Sequence, residues 1–340
     1  MFKKKHILVP LDGSTMAEAA LPAAVYLCGI LNAAVTLFHV IEKDAPGEVH
    51  GQRHLSAPSE AEAYLEEVSR RAFQRELTFP GQMGQAERAG QVERAGQAAP
   101  EGQLAPKGAR VDFHVHTAKT ENVAASISEH AGELGCDLIV MCSHGRGRAL
   151  HLLLGSIAQK VTAEGDIPVL LIRPGEAGGK KKEKPPVFSC RTLLLPLDGD
   201  PEHEQAIPVA GELARACGSV LHMAVVVPDF DTLSGQSAIA GRFLPGTMSE
   251  ILEMSAQDAE EYIRAQLETL RGQGIEAEAR VLRGDPATVI DDFARRVQAG
   301  LIVMATHGKP AMDAFWDGSV PHRVSGLSRV PLLLVPVKKS

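Results

Sequence analysis

The sequence predicts an α/β protein made of two tandem doubly wound domains, each a five-stranded parallel sheet with helices on both faces. Three observations carry this. Short Val/Ile/Leu runs alternate with amphipathic stretches, and that alternation implies right-handed crossovers between parallel strands. The apolar runs are continuous, as suits strands covered on both faces. The chain also repeats itself. "ILVPLDG" (7–13) returns as "LLLPLDG" (193–199), an offset of 186, and "LIVMCSHG" (138–145) returns as "LIVMATHG" (301–308), an offset of 163. Gly155-Ser156 returns as Gly318-Ser319, and "IPVLLIRP" (167–174) as "VPLLLVPV" (330–337), both again at 163.

The elements follow in order. In the first copy strands fit 6–11, 34–41, 110–116, 137–142 and 167–173, with helices near 15–32, 58–78, 121–134 and 156–164. In the second, strands fit 191–197, 219–227, 276–282, 300–305 and 330–336, with helices near 202–217, 247–273, 286–298 and 319–327. The two offsets differ by 23 residues, so the first copy carries about that much extra between its first and fourth strands. The surplus is the Gly/Gln/Ala/Glu-rich stretch 81–108, which holds "ERAGQ" twice and has no apolar periodicity. Such a stretch cannot bury enough surface to offset its ordering entropy and reads as a mobile loop. "GEAGGKKKEKPP" (175–186) reads as a flexible linker ending in extended form. The expected domains are therefore 1–174, with its insertion, and 187–340.

Composition narrows the class. Of 340 residues, 44% are apolar and 23% charged, which is ordinary globular chemistry, and the net charge of −7 argues against a nucleic-acid partner. The five cysteines, Cys28, Cys136, Cys142, Cys190 and Cys217, show no C-x-x-C spacing, so neither a zinc site nor a disulfide framework is expected. The opening "MFKKKHILVP" is broken by Pro10 and Asp12 and does not read as a signal peptide. No apolar run is long enough to span a membrane. A reduced, cytoplasmic protein is the expectation.

In doubly wound sheets ligands lie beyond the carboxyl ends of the strands, where strand order reverses. Two elements of the first copy fall there. Asp12 ends the first strand and can accept a bond from a ribose hydroxyl or an adenine amine, although taken by itself it reads first as a helix cap. "SHGRGRALHLLLGS" (143–156) follows the fourth strand. Gly145 allows a tight turn and close approach of a ligand. Ser156 and Gln159 fit the capping-box pattern S-x-x-Q, so a helix should start at Ser156, with Ser156 as its cap. A helix start favours phosphate, and Arg146 and Arg148 add positive charge.

These motifs resemble the universal stress protein family, whose nucleotide-binding members carry G-x-x-G, nine residues, then G-S or G-T. Here Cys142-Ser143-His144-Gly145 is followed by nine residues and Gly155-Ser156. Ala305-Thr306-His307-Gly308 is followed by nine and Gly318-Ser319. "ILVPLDGS", "LFHVIE" and "PVLLIRP" are also similar to the family's strands. The resemblance covers nearly the whole chain outside the insertion and linker and implies a Rossmann-like fold. It also implies that Asp12 and Val40 hold adenosine. Pro10 and Met141 would line its pocket, with Cys142 at the edge. Gly145, Gly155 and Ser156, with the backbone of Ile157, would hold phosphates. The implied ligand is ATP or another adenine nucleotide, which magnesium could accompany. Asp198, Val225, Gly308, Gly318 and Ser319 are the counterparts in the second copy. The fifth strands imply an intramolecular pseudo-dimer, and a homodimer is also open.

Both copies depart from the motif at its first glycine, which is Cys142 or Ala305. The second departs further. Its nine-residue segment carries Lys309, Asp313 and Asp317, a formal −1, against +2 from Arg146 and Arg148 in the first. Like charge beside a triphosphate costs roughly 1 kcal/mol per unit. The first copy is therefore expected to bind nucleotide and the second to be degenerate. His114 and His116 share a strand face without a carboxylate or cysteine partner and read as surface residues rather than a metal site. His144 and His307 read as loop-shaping, and His50, Arg53 and His54 as a loop anchor. Two other functions compete: an interaction scaffold without nucleotide, and a slow ATP-hydrolysing enzyme. The enzyme is the weakest of the three, because no dedicated general base or magnesium-binding carboxylate pair stands beside the phosphate loop.

Overall fold

A computed structural model of the chain describes residues 2–43, 48–49, 52–53, 55–73, 110–143, 154–174, 188–233, 239, 243–307 and 319–338. The proposed insertion (81–108) and linker (175–186) lie outside them. The first half runs β1 (His6–Pro10), α1 (Leu21–Leu31), β2 (Ala34–Glu42), β3 (Glu48–Val49), β4 (Gln52–Arg53), α2 (Pro58–Phe73), β5 (Val111–Thr120), α3 (Val123–Glu133), β6 (Leu138–Cys142), α4 (Ser156–Glu164) and β7 (Val169–Ile172). The second runs β8 (Thr192–Leu197), α5 (Ala206–Cys217), β9 (Val220–Val227), α6 (Pro245–Gly272), β10 (Ala277–Arg283), α7 (Pro286–Arg296), β11 (Leu301–Thr306), α8 (Val320–Leu327) and β12 (Leu332–Pro336). The small β3–β4 hairpin lies in a segment without strand periodicity and was not expected.

All ten main strands form one sheet, in the order β10-β9-β8-β11-β12-β7-β6-β1-β2-β5. Within each half the pairs are parallel. The halves meet where β12 pairs β7 antiparallel, with Leu332 opposite Leu171 and Leu334 opposite Val169. Strand order reverses between β1 and β6 in the first half and between β8 and β11 in the second.

Helices cover both faces, which is why the inner strands are apolar on both sides, while the edge strands β5 and β10 carry polar, exposed residues. One cluster packs residues of α1, α2, α5 and α6 against Val9, Leu37, Leu195 and Val225. The other packs α3, α4, α7 and α8 against Leu8, Phe38, Val40, Leu194 and Ala224. Both clusters cross the seam between halves. Polar contacts cross it too. The Arg173 guanidinium donates to the carbonyls of Gly326 (2.9 Å) and Ser328 (2.8 Å) at the end of α8. The Tyr26 ring meets Phe188 edge-on with centroids 5.5 Å apart.

Helix starts and ends follow local chemistry. Pro22 stands in the first turn of α1, where its missing N–H costs nothing, and a short 3-10 turn (Ala17–Ala20) leads into it. α1 closes on Asn32 and α5 on Gly218, both left-handed. Asp285 caps α7 through the Thr288 N–H (3.1 Å). Arg323 of α8 also binds Asp285, at 2.8 Å, and that hydrogen bond leads the causes holding its carboxyl down at about 2.

Candidate functional site

Asp12 lies just past β1, at the reversal point. Leu11 extends the β1–β2 pairing by one bond, its N–H donating to the Phe38 carbonyl at 2.8 Å. The chain then turns at Gly13, whose φ of +86° suits glycine. Gly199 repeats this with φ +83°. The Asp12 carboxylate accepts from the Ser14 N–H (2.9 Å) and hydroxyl (2.6 Å), both on Oδ1. Ser14 Oγ in turn accepts from the Ala17 N–H at 3.1 Å, closing the turn into the helix. Asp12 therefore has a local structural task, and its Oδ2 makes no hydrogen bond to the described residues.

The other side of the point is built by β6 and α4. Gly155 returns directly to the end of β6, its N–H donating to the Ser143 carbonyl at 2.8 Å. This bond sets where α4 begins and corrects the expected cap. Gly155, not Ser156, is the N-cap, and no side chain caps the helix. Ser156 is the first helical residue and is exposed. The first intrahelical bond is Gln159 N–H to Gly155 O (2.8 Å), so the N–H groups of Ser156, Ile157 and Ala158 precede the helical ladder.

These segments enclose a cleft of about 830 Å³, counted with its open mouth. Eight of the residues picked from the sequence line it: Pro10, Asp12, Val40, Met141, Cys142, Gly155, Ser156 and Ile157. Gly145, Arg146, Arg148 and His144 lie outside the described residues, as do His50 and His54, and of Arg53 only the backbone is described. Sequence reasoning missed Phe38, His39, Glu42, Val123 and Ile127, which also line the cleft. Phe38, Val40 and Glu42 follow from the period of 2 along β2, and Val123 and Ile127 from their i,i+4 spacing on α3. His39 is buried and braces the site. Its Nδ1 lies 2.7 Å from the Leu11 carbonyl and its Nε2 3.3 Å from that of Leu55, tying the Asp12 turn to the segment ahead of α2.

In the second half Gly308 and Gly318 lie outside the described residues. Val225 needs a one-residue correction. Pro10 pairs with Phe38 and Pro196 with Ala224, so Val226 is the counterpart of Val40. Val225 points to the opposite face and packs in the other core cluster. Ser319 caps α8, its Oγ accepting from the His322 N–H at 3.4 Å. Asp198 accepts at Oδ1 from the Asp200 N–H (3.1 Å) and at Oδ2 from His203 Nδ1 (2.6 Å). Burial opposes the charge on Asp198, but these bonds outweigh it and hold its carboxyl below the usual range. The same bond raises the His203 imidazole above its ordinary value. His307 is not merely loop-shaping: its Nε2 sits 2.8 Å from His203 Nε2.

His114 and His116 share one face of β5, as expected, and are joined there by His130 of α3. His116 Nδ1 lies 3.4 Å from His130 Nε2, and His114 stacks on Phe38. Burial, followed by His130 and His116, depresses the His114 pKa. Among the described residues no group of three or more His, Cys, Asp or Glu side chains is disposed to hold a metal. Nor is any described helix long and apolar enough to cross a membrane.

Fold and cleft define a class: a doubly wound α/β protein, duplicated within one chain, with an open cleft at the switch point of its first half. The sequence pattern of the universal stress protein family matches residues 3–173 and 190–336, and the chain belongs to that family. It is similar to the stress response protein NhaX of Bacillus subtilis, 28% identical over 180 residues, covering 51% of this chain and 100% of NhaX. A universal stress protein of Thermus aquaticus is 32% identical over 148 residues, covering 43% of this chain and 98% of its own length. The crystal structure of a universal stress protein from Archaeoglobus fulgidus matches 99% of this chain and 98% of that one, with TM-score 0.59 at 15% identity, which speaks for the fold alone.

Proposed function

We propose that this universal stress protein binds an adenine nucleotide, ATP or a close relative, in the cleft of its first half, and that its second half is degenerate for that ligand. One observation carries the reading. Eight residues picked for nucleotide contact, drawn from four separate segments of the chain, line one cleft. The cleft fits the ligand chemically. In this reading Asp12 Oδ2 would accept from a ribose hydroxyl, Val40, Met141 and Ile127 would form an apolar bed for a base, and the start of α4, which no side chain caps, would offer N–H groups to phosphate. Arg146 and Arg148 would supply the matching charge, and magnesium would accompany the phosphates.

In this reading 1–174 and 187–340 are two domains acting as an intramolecular pseudo-dimer, with 81–108 an insertion and 175–186 a linker. The antiparallel β7–β12 pairing supports it. A further homodimer is compatible with β5 and β10 standing at the two edges of the sheet formed by the described residues. The protein works in the cytoplasm, without nucleic acid or membrane, and nucleotide occupancy changes its contacts with partners.

The scaffold reading is favoured at the second half, where Asp198 is already bound by His203. The test uses the purified full-length chain. Small molecules released on denaturation are identified by mass spectrometry, and melting is followed with and without ATP. Bound nucleotide, or an ATP-induced rise in melting temperature that Gly155→Arg abolishes, supports the proposal. If neither appears, the scaffold reading replaces it.

A further inference from the structure

The amino-terminal edge of the sheet, opposite the cleft, brings two cysteines together. Cys190 stands just ahead of β8, and Cys217 ends α5, just ahead of β9. The strands that follow them are paired, with Thr192 opposite Val220. One more bond extends the pairing, from the Val220 N–H to the Arg191 carbonyl at 3.1 Å. The Ser219 hydroxyl then donates to the Cys190 carbonyl and draws the two backbones together. So placed, the Cys190 and Cys217 thiols hydrogen-bond to each other. Cys190 is fully buried, whereas Cys217 is partly exposed.

The Cys217 sulfur is set among donors. The Cys190 thiol, the Ser219 hydroxyl and the Tyr26 hydroxyl all hydrogen-bond to it. Tyr26 belongs to α1 in the first half. Its oxygen is held in place by the Cys190 N–H, which donates to it at 3.4 Å, and its ring by the edge-on contact with Phe188. Donors around a sulfur favour the thiolate, the form that attacks electrophiles. The negative end of α5 works against that charge. The hydrogen bonds prevail: the Cys190 bond first, then those of Ser219 and Tyr26, hold the Cys217 thiol below its ordinary value despite burial. The same bond, and burial, push Cys190 up. Cys28, Cys136 and Cys142 are buried, and burial raises the thiols of Cys28 and Cys136, the latter to about 12.

We propose that Cys217 and Cys190 form a peroxide-reactive dithiol, with the partly exposed Cys217 as the attacking sulfur and the buried Cys190 as the resolving one. The Cys217 thiolate attacks one oxygen of a hydroperoxide. The O–O bond breaks, and the departing oxygen takes a proton from water and leaves as an alcohol, or as water when the oxidant is hydrogen peroxide. Cys217 is then a sulfenic acid. The Cys190 sulfur attacks it, the S–O bond breaks, and the Cys190 proton leaves with the hydroxyl as water. The pair has lost two electrons to the peroxide and become a disulfide. Two sulfurs already in contact need only close to about 2.05 Å. A dithiol reductant reverses the change, as suits a transient disulfide in a reducing compartment. The site lies at the edge away from the cleft and does not depend on nucleotide binding.

The test uses reduced full-length protein without nucleotide, treated with a small molar excess of hydrogen peroxide and digested for mass spectrometry. A disulfide joining Cys190 to Cys217 is expected, and dithiothreitol should remove it. Before oxidation, iodoacetamide near pH 7 should alkylate Cys217 faster than Cys136, by about tenfold or more. Cys190→Ser keeps a donor but removes the resolving sulfur, so oxidation should stop at a Cys217 sulfenic acid that dimedone traps. Cys217→Ser should leave Cys190 unoxidised. Circular dichroism checks that both variants fold, and the wild-type measurements decide the question without them. If peroxide produces no Cys190–Cys217 disulfide in the wild-type chain, or if Cys217 is alkylated no faster than Cys136, the two thiols are packing neighbours only and the proposal falls.

Discussion

The carboxyl edge of the sheet is built twice in this chain, and the two versions differ where chemistry is done. β1 and β8 end alike, in Pro-Leu-Asp-Gly with a left-handed glycine. Beyond that point a few residues change everything. In the first half Asp12 holds Ser14, Ala17 leaves space, and α4 begins without a side-chain cap. In the second, Asp200 replaces Ser14, His203 replaces Ala17 and captures Asp198, and Ser319 caps α8 itself. Pro321 then stands where Ala158 offers an N–H. A helix start whose N–H groups are met by its own cap, or absent, has less to give a phosphate. Duplication preserved the scaffold while the edge diverged, as expected if fold and site are separable.

The largest test asks whether the halves can be compared as separate units at all. Leu171 is 2% exposed on β7, opposite Leu332 across the seam. Leu171→Ala should cost about 3 kcal/mol, the usual range for a buried leucine. Because both core clusters cross the seam, calorimetry should show one transition moving as a whole. Two transitions, with only the first shifted, would mean the halves fold independently.

Gly155→Arg comes next. The side chain would project from the helix start into the cleft, and nucleotide affinity should fall by about 100-fold, or about 2.7 kcal/mol. Gly318→Arg, the matching change in the second half, should leave nucleotide affinity unchanged. Equal losses would show that both halves bind. Asp12→Asn is smaller, about tenfold, because a neutral amide still fills the site but accepts a weaker bond. Asp198→Asn should have no effect on nucleotide titrations.

Much of this was legible because duplication prints the same strand ends twice. Asp12 and Gly155 could be placed at one edge from the repeat and the alternation of elements alone, and Met141 joined them through the family resemblance. The errors have physical causes. "MAVVVP" (223–228) is apolar on both faces, so period 2 is invisible, and Val225 was taken where the register selects Val226. S-x-x-Q fits Ser156 equally well as cap or as first helical residue; only the Gly155–Ser143 bond decides. His39 looks like another strand residue until its two carbonyl partners, 28 and 16 positions away, are seen. The His203–His307 contact joins distant segments and leaves no local pattern.

The smallest predicted effect separates the two edges by pH. His203 titrates above its ordinary value in the folded chain because it is bound to Asp198, and Asp198 titrates below its own. The His203 contribution is fully present below the unfolded imidazole value of about 6.5 and is lost as pH rises through the raised folded value. The Asp198 contribution is present above the unfolded carboxylate value of about 3.9 and is lost as pH falls through the lowered folded one. The pair therefore stabilises most between about pH 4 and 6.5. The Asp198 side chain is 56% exposed, so solvent screening limits the gain to about 0.5 kcal/mol. His203→Gln should lower the melting temperature slightly near pH 5.5 and not at all near pH 9. Among the described residues Asp12 has no histidine partner, so Asp12→Asn should show no such imidazole-linked pH dependence. A His203→Gln deficit that persists unchanged to pH 9 would mean the bond to Asp198 is made by neutral imidazole, with no proton gained on folding.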